Sequence, residues 1–219
     1  MLFRSSGQRA LIVGGSRGLG AATAMLVAAG GGLPIVTFAA GAAEATALQH
    51  DARSADRRLD TLRFDVVNDD VARLADAAAR SGVTHLYYYA TPRIFARRRE
   101  PFDHALFARF SEFYVAAFAR ICAAVRGAVP SLDVFYPSST AVEEAASELT
   151  EYAAAKAAGE TLCRRLHRPA DGLRIVVRRL PRVTTDQTAS IIQARALDPL
   201  DAVLPIVREM QRPAAAASE

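Results

Sequence analysis

The sequence has no tryptophan, a single lysine (Lys156), a single asparagine (Asn68) and only two cysteines, Cys122 and Cys163. Both cysteines fall in stretches of helical pattern with no Cys or His at metal-ligand spacing. They therefore read as reduced core thiols and not as a disulfide framework or a zinc site. The four histidines, His50, His85, His104 and His167, are scattered, and no metal site is expected. The apolar runs are short and broken by Arg, Asp or Gly, and none approaches the ~20 apolar residues a membrane span needs. MLFRSSGQRA at the start lacks the apolar core of a signal peptide. These absences predict a cytoplasmic protein with no membrane span.

What is present is arginine. The chain has 27 basic residues, of which 26 are Arg and one is Lys, against 23 acids, for a net charge of +4. The arginines are spread along the whole chain and mixed with carboxylates, a pattern that argues against a nucleic-acid partner and for a cationic surface that tolerates anionic ligands. A sequence with Arg at every other basic position keeps Lys where a compact ammonium is needed in place of a planar fork. With 219 residues and 51% hydrophobic content, one large core is expected. The reading is a single domain over residues 1–212 and a frayed Ala-rich tail over 213–219.

Branched apolar runs alternate with longer Ala-rich stretches of helical period. That alternation predicts an α/β fold, a Rossmann-type doubly wound parallel sheet of at least six strands with helices on both faces. Strands are expected at Arg9 to Val13, Pro34 to Phe38, Thr61 to Phe64, His85 to Tyr89, Leu132 to Tyr136 and Arg174 to Arg178. Helices are expected at Leu19 to Ala29, Ala42 to His50, Asp69 to Arg80, Phe102 to Val125, Glu151 to His167 and Pro199 to Met210.

Ala10 to Gly20, ALIVGGSRGLG, is an apolar strand, a glycine-rich turn and the start of a helix, the context in which a glycine motif carries meaning. Gly14 suits the tight turn, Gly18 a close backbone approach to a pyrophosphate, and Gly20 close packing of helix on strand. The spacing, G-x-x-x-G-x-G, resembles that of the short-chain dehydrogenase/reductase family. The resemblance implies a nicotinamide cofactor, with Gly14, Ser16, Arg17, Gly18, Leu19, Gly20, Asp65, Val66, Ala90, Pro181 and Val183 in its site. An acid at the end of the second strand would accept from a ribose 2′-hydroxyl and repel a 2′-phosphate. Val36-Thr37-Phe38-Ala39-Ala40 contains none. Related members hold the 2′-phosphate with an arginine where Arg17 stands, so the expected cofactor is NADP(H). Asp65 is either an adenine contact, as the resemblance implies, or a turn residue capping the next helix.

Downstream, Phe135-Tyr136-Pro137-Ser138-Ser139-Thr140 ends the fifth strand, and Tyr152-Ala153-Ala154-Ala155-Lys156 begins thirteen residues after Ser139. On a helix, positions i and i+4 share a face, so Tyr152 and Lys156 can point together into a cleft at the carboxyl edge of the sheet. A phenol is a poor donor near neutrality, and a neighbouring ammonium lowers its pKa. The resemblance assigns Tyr152 as general acid in carbonyl reduction, Lys156 as its tuning cation and ribose ligand, and Ser139 as donor to the substrate carbonyl. Ser138 is a rival one residue out of register. Lys156-Ala157-Ala158-Gly159-Glu160 also looks like the sugar-nucleotide epimerase branch of the superfamily, which the glycine loop and short chain do not fit.

The resemblance covers roughly Arg9 to Thr185 and has departures. Family members often carry an Asn on the long fourth helix, where this chain has Phe110-Ser111-Glu112-Phe113-Tyr114-Val115, with Tyr114 in the slot. Tyr88-Tyr89-Ala90-Thr91-Pro92 replaces an Asn-Asn-Ala-Gly stretch, and Arg182 follows Pro181 where a Gly is usual. The chain stops near where a seventh strand usually closes the sheet, so oligomer contacts built on it would be missing. The helix bearing Tyr152 can still pair with its twin in a homodimer. Ketoreductase domains of polyketide and related assembly lines tolerate such variation. Arg93, Arg97, Arg98 and Arg99 either meet a phosphopantetheine arm or acyl carrier protein or form a solvated helix face. The leading expectation is an NADPH-dependent ketoreductase of a β-ketoacyl thioester or similar ketone. The alternatives are an oxidoreductase of a free small alcohol or ketone and a non-catalytic domain of the same fold.

Overall fold

The computed structural model describes residues 5, 7–92, 94, 102–144, 149–181 and 197–211. The positions of Arg93, Arg97, Arg98, Arg99, Arg182, Val183 and the 213–219 tail lie outside these. The six expected strands form as β1 (Arg9–Val13), β2 (Leu33–Phe38), β3 (Asp60–Arg63), β4 (His85–Tyr88), β5 (Leu132–Ser139) and β6 (Leu173–Leu180). They pair in the order β3-β2-β1-β4-β5-β6, every pairing parallel. Winding outward in both directions from β1 and β4 opens a crevice at their carboxyl ends, the place where such sheets bind ligands.

Helices α1 (Gly18–Ala29), α2 (Ala42–Ser54), α3 (Ala72–Ser81), α4 (His104–Ser111), α5 (Phe118–Ala128), α6 (Thr150–Leu166) and α7 (Pro199–Met210) cover the sheet. The central strands β1 and β4 are buried on both faces because both are covered, whereas the edge strands β3 and β6 carry Asp60, Arg63, Arg174, Arg178 and Arg179. Ala10 and Ile12 of β1 join one core with α1, α2 and α7, while Leu11 and Val13 join the other with α3, α5 and α6. Strand β5 alternates likewise, Phe135 to the first core and Val134 and Tyr136 to the second. Cys122 and Cys163 are free and buried in the second core, as expected of core thiols.

Several boundaries depart from the sequence expectation, among them the end of the second helix, at Ser54 and not at His50. The third helix begins at Ala72 and not at Asp69, because Asp65 and Asp69 are bound into the preceding turn. β5 and β6 run three and two residues further, pairing Tyr136 to Ser139 with Val177 to Leu180. Pro137 is tolerated there because it lies beyond the last β4 pairing, at Phe135. The long fourth helix is a helical run from His104 to Ala128 interrupted by a π-helical segment, Glu112–Ala117. Two buried tyrosine hydroxyls converge on carbonyls of that segment. Tyr88 donates to the Phe113 carbonyl at 2.7 Å and Tyr136 to the Tyr114 carbonyl at 3.0 Å. Side chains that insert into the helical hydrogen-bond ladder in this way are a known cause of a widened turn.

Candidate active site

The loop between β1 and α1 is held by backbone geometry. Gly14 has φ +75°, and a Cβ there would lie 2.7 Å from the Ala90 nitrogen and 2.8 Å from its Cα. Only glycine satisfies both the left-handed turn and that approach to the end of β4. Thr37, at the end of β2, fixes the loop twice: its hydroxyl accepts from Gly14 N–H at 3.2 Å and its carbonyl from Gly15 N–H at 2.9 Å. Sequence reading treated Thr37 only as a non-acidic residue and missed this role; a threonine opposite a glycine turn was the available signal. Arg17 is the N-cap of α1 with no side-chain cap, and the first turn of the helix, which contains Gly18, Leu19 and Gly20, carries no acid. Its N–H groups and positive dipole end therefore face the crevice ready for an anion. Ser16 is buried beside Gly41 at the start of α2.

Arg17 is not unattended. Its guanidinium lies 3.5 Å from the Glu44 carboxylate in the first turn of α2, both side chains about half exposed. The acid missing from the end of β2 is thus supplied nearby from the following helix. Asp65, at the carboxyl end of β3, uses both oxygens inside its own turn, accepting from Val67 N–H and from the Asn68 side chain, each at 2.9 Å. These bonds lower its pKa below the ordinary carboxylate range. Asp65 is therefore a turn residue, held in part by the chain's one asparagine, but it does not cap the next helix, which begins at Ala72 with Val71 as its N-cap. Val66 is buried in the core below.

At the other side of the crevice, β5 ends on its two serines. Ser138 is buried and donates to Glu160 at 2.6 Å. Ser139 is partly exposed, accepts from Ala141 N–H at 3.2 Å, and is the side chain that opposes the rise in the Tyr152 pKa. Ser138 lies with Val134 and Tyr136 on the α6 face, bonded to Glu160, whereas Ser139, at the last position of the strand, is the serine that acts on the Tyr152 phenol. Lys156, one turn on from Tyr152, is 6% exposed and donates to the Pro137 carbonyl at 2.7 Å.

One expectation is corrected here. The ammonium was to lower the phenol's pKa, yet burial raises the pKa of Tyr152, opposed by Ser139. Lys156 is turned to Pro137 and to the face of Tyr114, 3.9 Å from its ring centroid. Burial brings Lys156 down to about 7, because an ammonium removed from water is disfavoured.

Glu160 and Arg179 form a clamp that sequence reading did not foresee. Arg179 Nε and Nη2 each donate to the Glu160 carboxylate at 2.7 Å, in a bidentate pair, and Arg179 also meets Glu143. With Ser138 on the same carboxylate, the clamp ties β5, α6 and β6 together just behind the Ser139–Tyr152 pair. Pro181 follows β6 at the same edge and is exposed.

Residues 8–195 match the family described as short chain dehydrogenase. No curated relative matches by sequence. Among solved structures, a 3-oxoacyl (acyl-carrier-protein) reductase from Agrobacterium tumefaciens with NADP bound is similar, with a TM-score of 0.82 at 21% identity over 94% of this chain and 88% of that one. A short chain dehydrogenase from Burkholderia cenocepacia in complex with NADP gives 0.81 at 21% identity over 95% and 91%. A 7α-hydroxysteroid dehydrogenase complexed with NADH and a 7-oxo bile acid gives 0.84 at 21% identity over 94% and 88%. With the family matched over residues 8–195 and the expected doubly wound parallel sheet in place, the chain belongs to the short-chain dehydrogenase family of oxidoreductases.

Proposed function

We propose that the protein is an NADPH-dependent carbonyl reductase acting on a ketone, a β-ketoacyl thioester among the candidates, with Tyr152 as the proton donor. The observation that carries the reading is the gathering of Ser139, at the carboxyl end of β5, with Tyr152 and the buried Lys156 of α6, across the crevice from an uncapped α1 N-terminus. The residues present suit a dinucleotide: the cradle at Gly14 cannot hold a Cβ, the first turn of α1 offers free N–H donors, and Arg17 supplies a cation where a 2′-phosphate would lie. A reduced nicotinamide bound there supplies the hydride. Ser139 orients the substrate carbonyl oxygen, its own oxygen held by Ala141 N–H. Tyr152 gives its phenolic proton to that oxygen as the carbonyl carbon is reduced, and Lys156 offers a positive charge close behind the developing phenolate.

Two of the three similar structures above were crystallised with NADP and one with NADH, and the first is a 3-oxoacyl reductase, which supports testing thioesters. An acyl carrier protein as substrate carrier and a homodimer paired through α6 belong to the same reading. The experiment is NADPH oxidation across a panel of free ketones, acyl-pantetheine and carrier-bound β-ketoacyl thioesters. Turnover of at least one class supports the proposal. No turnover across the panel, in a protein that binds NADPH, overturns it in favour of a binding domain of the same fold.

A further inference from the structure

Lys156 is the only lysine among 27 basic residues, and its ammonium is packed chiefly against aromatic faces. Besides the Pro137 oxygen, Nζ meets the Tyr114 ring at 3.9 Å from the centroid, with the Tyr136 and Tyr152 rings at 5.2 and 5.8 Å. The titratable groups that act on it are few. From its own helix come Tyr152, Glu160 and Cys163; from β5, Tyr136; from the π-helical segment, Tyr114. Glu160 is committed to Arg179 and Ser138, and burial holds the Cys163 thiol neutral, its pKa pushed up to about 12.

We propose that Tyr114 is a positioning residue for Lys156, its ring face carrying the ammonium that Tyr152 needs behind it. The ring is fixed from several directions. Its hydroxyl is 2.5 Å from the Thr91 hydroxyl, it stacks on Phe110 at 5.9 Å and 11°, and it stands edge to face with Tyr152 at 5.6 Å and 83°. One side chain thus touches both Tyr152 and Lys156. Its backbone is pinned as well, since the Tyr114 carbonyl accepts from Tyr136, whose hydroxyl fits only because residue 159 is glycine: a Cβ there would lie 1.9 Å from it.

A buried ammonium loses hydration, and an aromatic face returns part of that loss through its quadrupole. Burial already leaves Lys156 at about 7, so a weakened ring face moves its midpoint below neutrality and removes the charge at working pH. The inference rests on the reading of Lys156 as the cation of the catalytic site, but its test needs neither cofactor nor substrate. Because the chain has one lysine, protein made with a lysine-free tag on ε-13C-lysine gives one lysine resonance, whose titration reports Lys156 directly. Tyr114→Phe keeps the ring face and should leave the midpoint within a few tenths of a pH unit of wild type. Phenylalanines bearing one, two and three ring fluorines at position 114 keep the shape while depleting the face. The midpoint should fall stepwise along that series, by about one unit at the end. Should Tyr114→Phe not fold, ring-fluorinated tyrosines, which retain the hydroxyl bonded to Thr91, carry the same series. A midpoint indifferent to fluorination makes Tyr114 a packing residue and overturns the proposal. A stepwise shift sustains it, even if the wild type turns over no ketone, a result that counts against the catalytic reading alone.

Discussion

The two sides of the crevice are built by different means. On the β1–α1 side, the parts turned to the crevice are backbone groups, placed by the left-handed Gly14 and by the two bonds that Thr37 accepts. On the β5–α6 side, they are side chains, placed by other side chains from the π-helical segment, β5, α6 and β6: Tyr114, Tyr136, Glu160 and Arg179. A backbone site is intolerant of an added Cβ and largely indifferent to side-chain chemistry. A side-chain site is the reverse, sensitive to the loss of one hydroxyl or one ring. The contrast assigns each side its own characteristic failure, binding on the first and chemistry on the second.

The sharpest way to break the contrast is Tyr152→Phe. It deletes the phenolic oxygen and keeps the ring that packs against Phe110 and Tyr114, so the melting temperature and NADPH affinity should stay near wild type while reduction falls about a hundredfold or more. Retention of activity within tenfold would place the proton donor elsewhere. The matching change on the other side is Gly14→Ala. Its Cβ would enter the Ala90 backbone at 2.7 Å in a left-handed conformation, so a loss of about 2 kcal/mol of stability and of most cofactor affinity is expected. Thermal melts and NADPH fluorescence titration measure both. A variant that binds NADPH normally would show that the loop is not the cradle it is taken to be.

The same contrast explains what was legible in the sequence. The six strands and the glycine loop are local patterns, fixed by periodicity or by the backbone demands of a few adjacent residues, while the Ser139, Tyr152, Lys156 spacing was legible through the family resemblance. What escaped depends on contacts far apart in sequence. The Tyr136 hydroxyl reaches a carbonyl 22 residues away, and Arg179 finds Glu160 across 19. No local period signals a π-helical turn whose carbonyls are taken by Tyr88 and Tyr136. The direction of the electrostatics was missed for the same reason. A Tyr and a Lys one turn apart predict an ammonium tuning a phenol, but burial governs both groups, and burial is a property of the whole fold.

That burial has a measurable consequence on the β5–α6 side. Lys156 falls from an ordinary 10.5 to about 7 on folding, so between those values the unfolded chain holds a proton that the folded chain does not. Stability should therefore rise with pH from about 7 upward, by at most about 1.4 kcal/mol per unit, and this contribution should be flat below 7, where both states are charged. The thiols of Cys122 and Cys163, raised by burial to about 11 and 12, act in the opposite direction once pH passes about 9. The comparison is accordingly wild type against Lys156→Met over pH 7 to about 8.5. The variant should lose the slope and melt higher at neutral pH, while binding NADPH more weakly and turning over more slowly. Parallel stability curves for the two proteins would mean that Lys156 is not held as its surroundings imply.

The smallest expected effect lies on the backbone side, where one side-chain pair tempers the rule. Arg17 is the cation available to a 2′-phosphate, but Glu44 shares it at 3.5 Å. Because both groups are about half exposed, the pair itself is weak, well under about 1 kcal/mol, and a doubly charged phosphate should displace the carboxylate. NADPH is then expected to bind about tenfold more tightly than NADH, a difference of about 1.4 kcal/mol, within reach of one charge-assisted contact. Arg17→Ala should erase that preference by weakening NADPH and leaving NADH unchanged. Glu44→Gln should do the converse, releasing Arg17 and removing a negative charge from the phosphate's neighbourhood, so that NADPH tightens about threefold while NADH stays level or weakens slightly. Fluorescence titration of both cofactors into the three proteins reads all of these changes. Equal wild-type affinities for the two cofactors, together with a loss of NADH binding in Glu44→Gln, would instead make Glu44 the ribose acid that the end of β2 lacks.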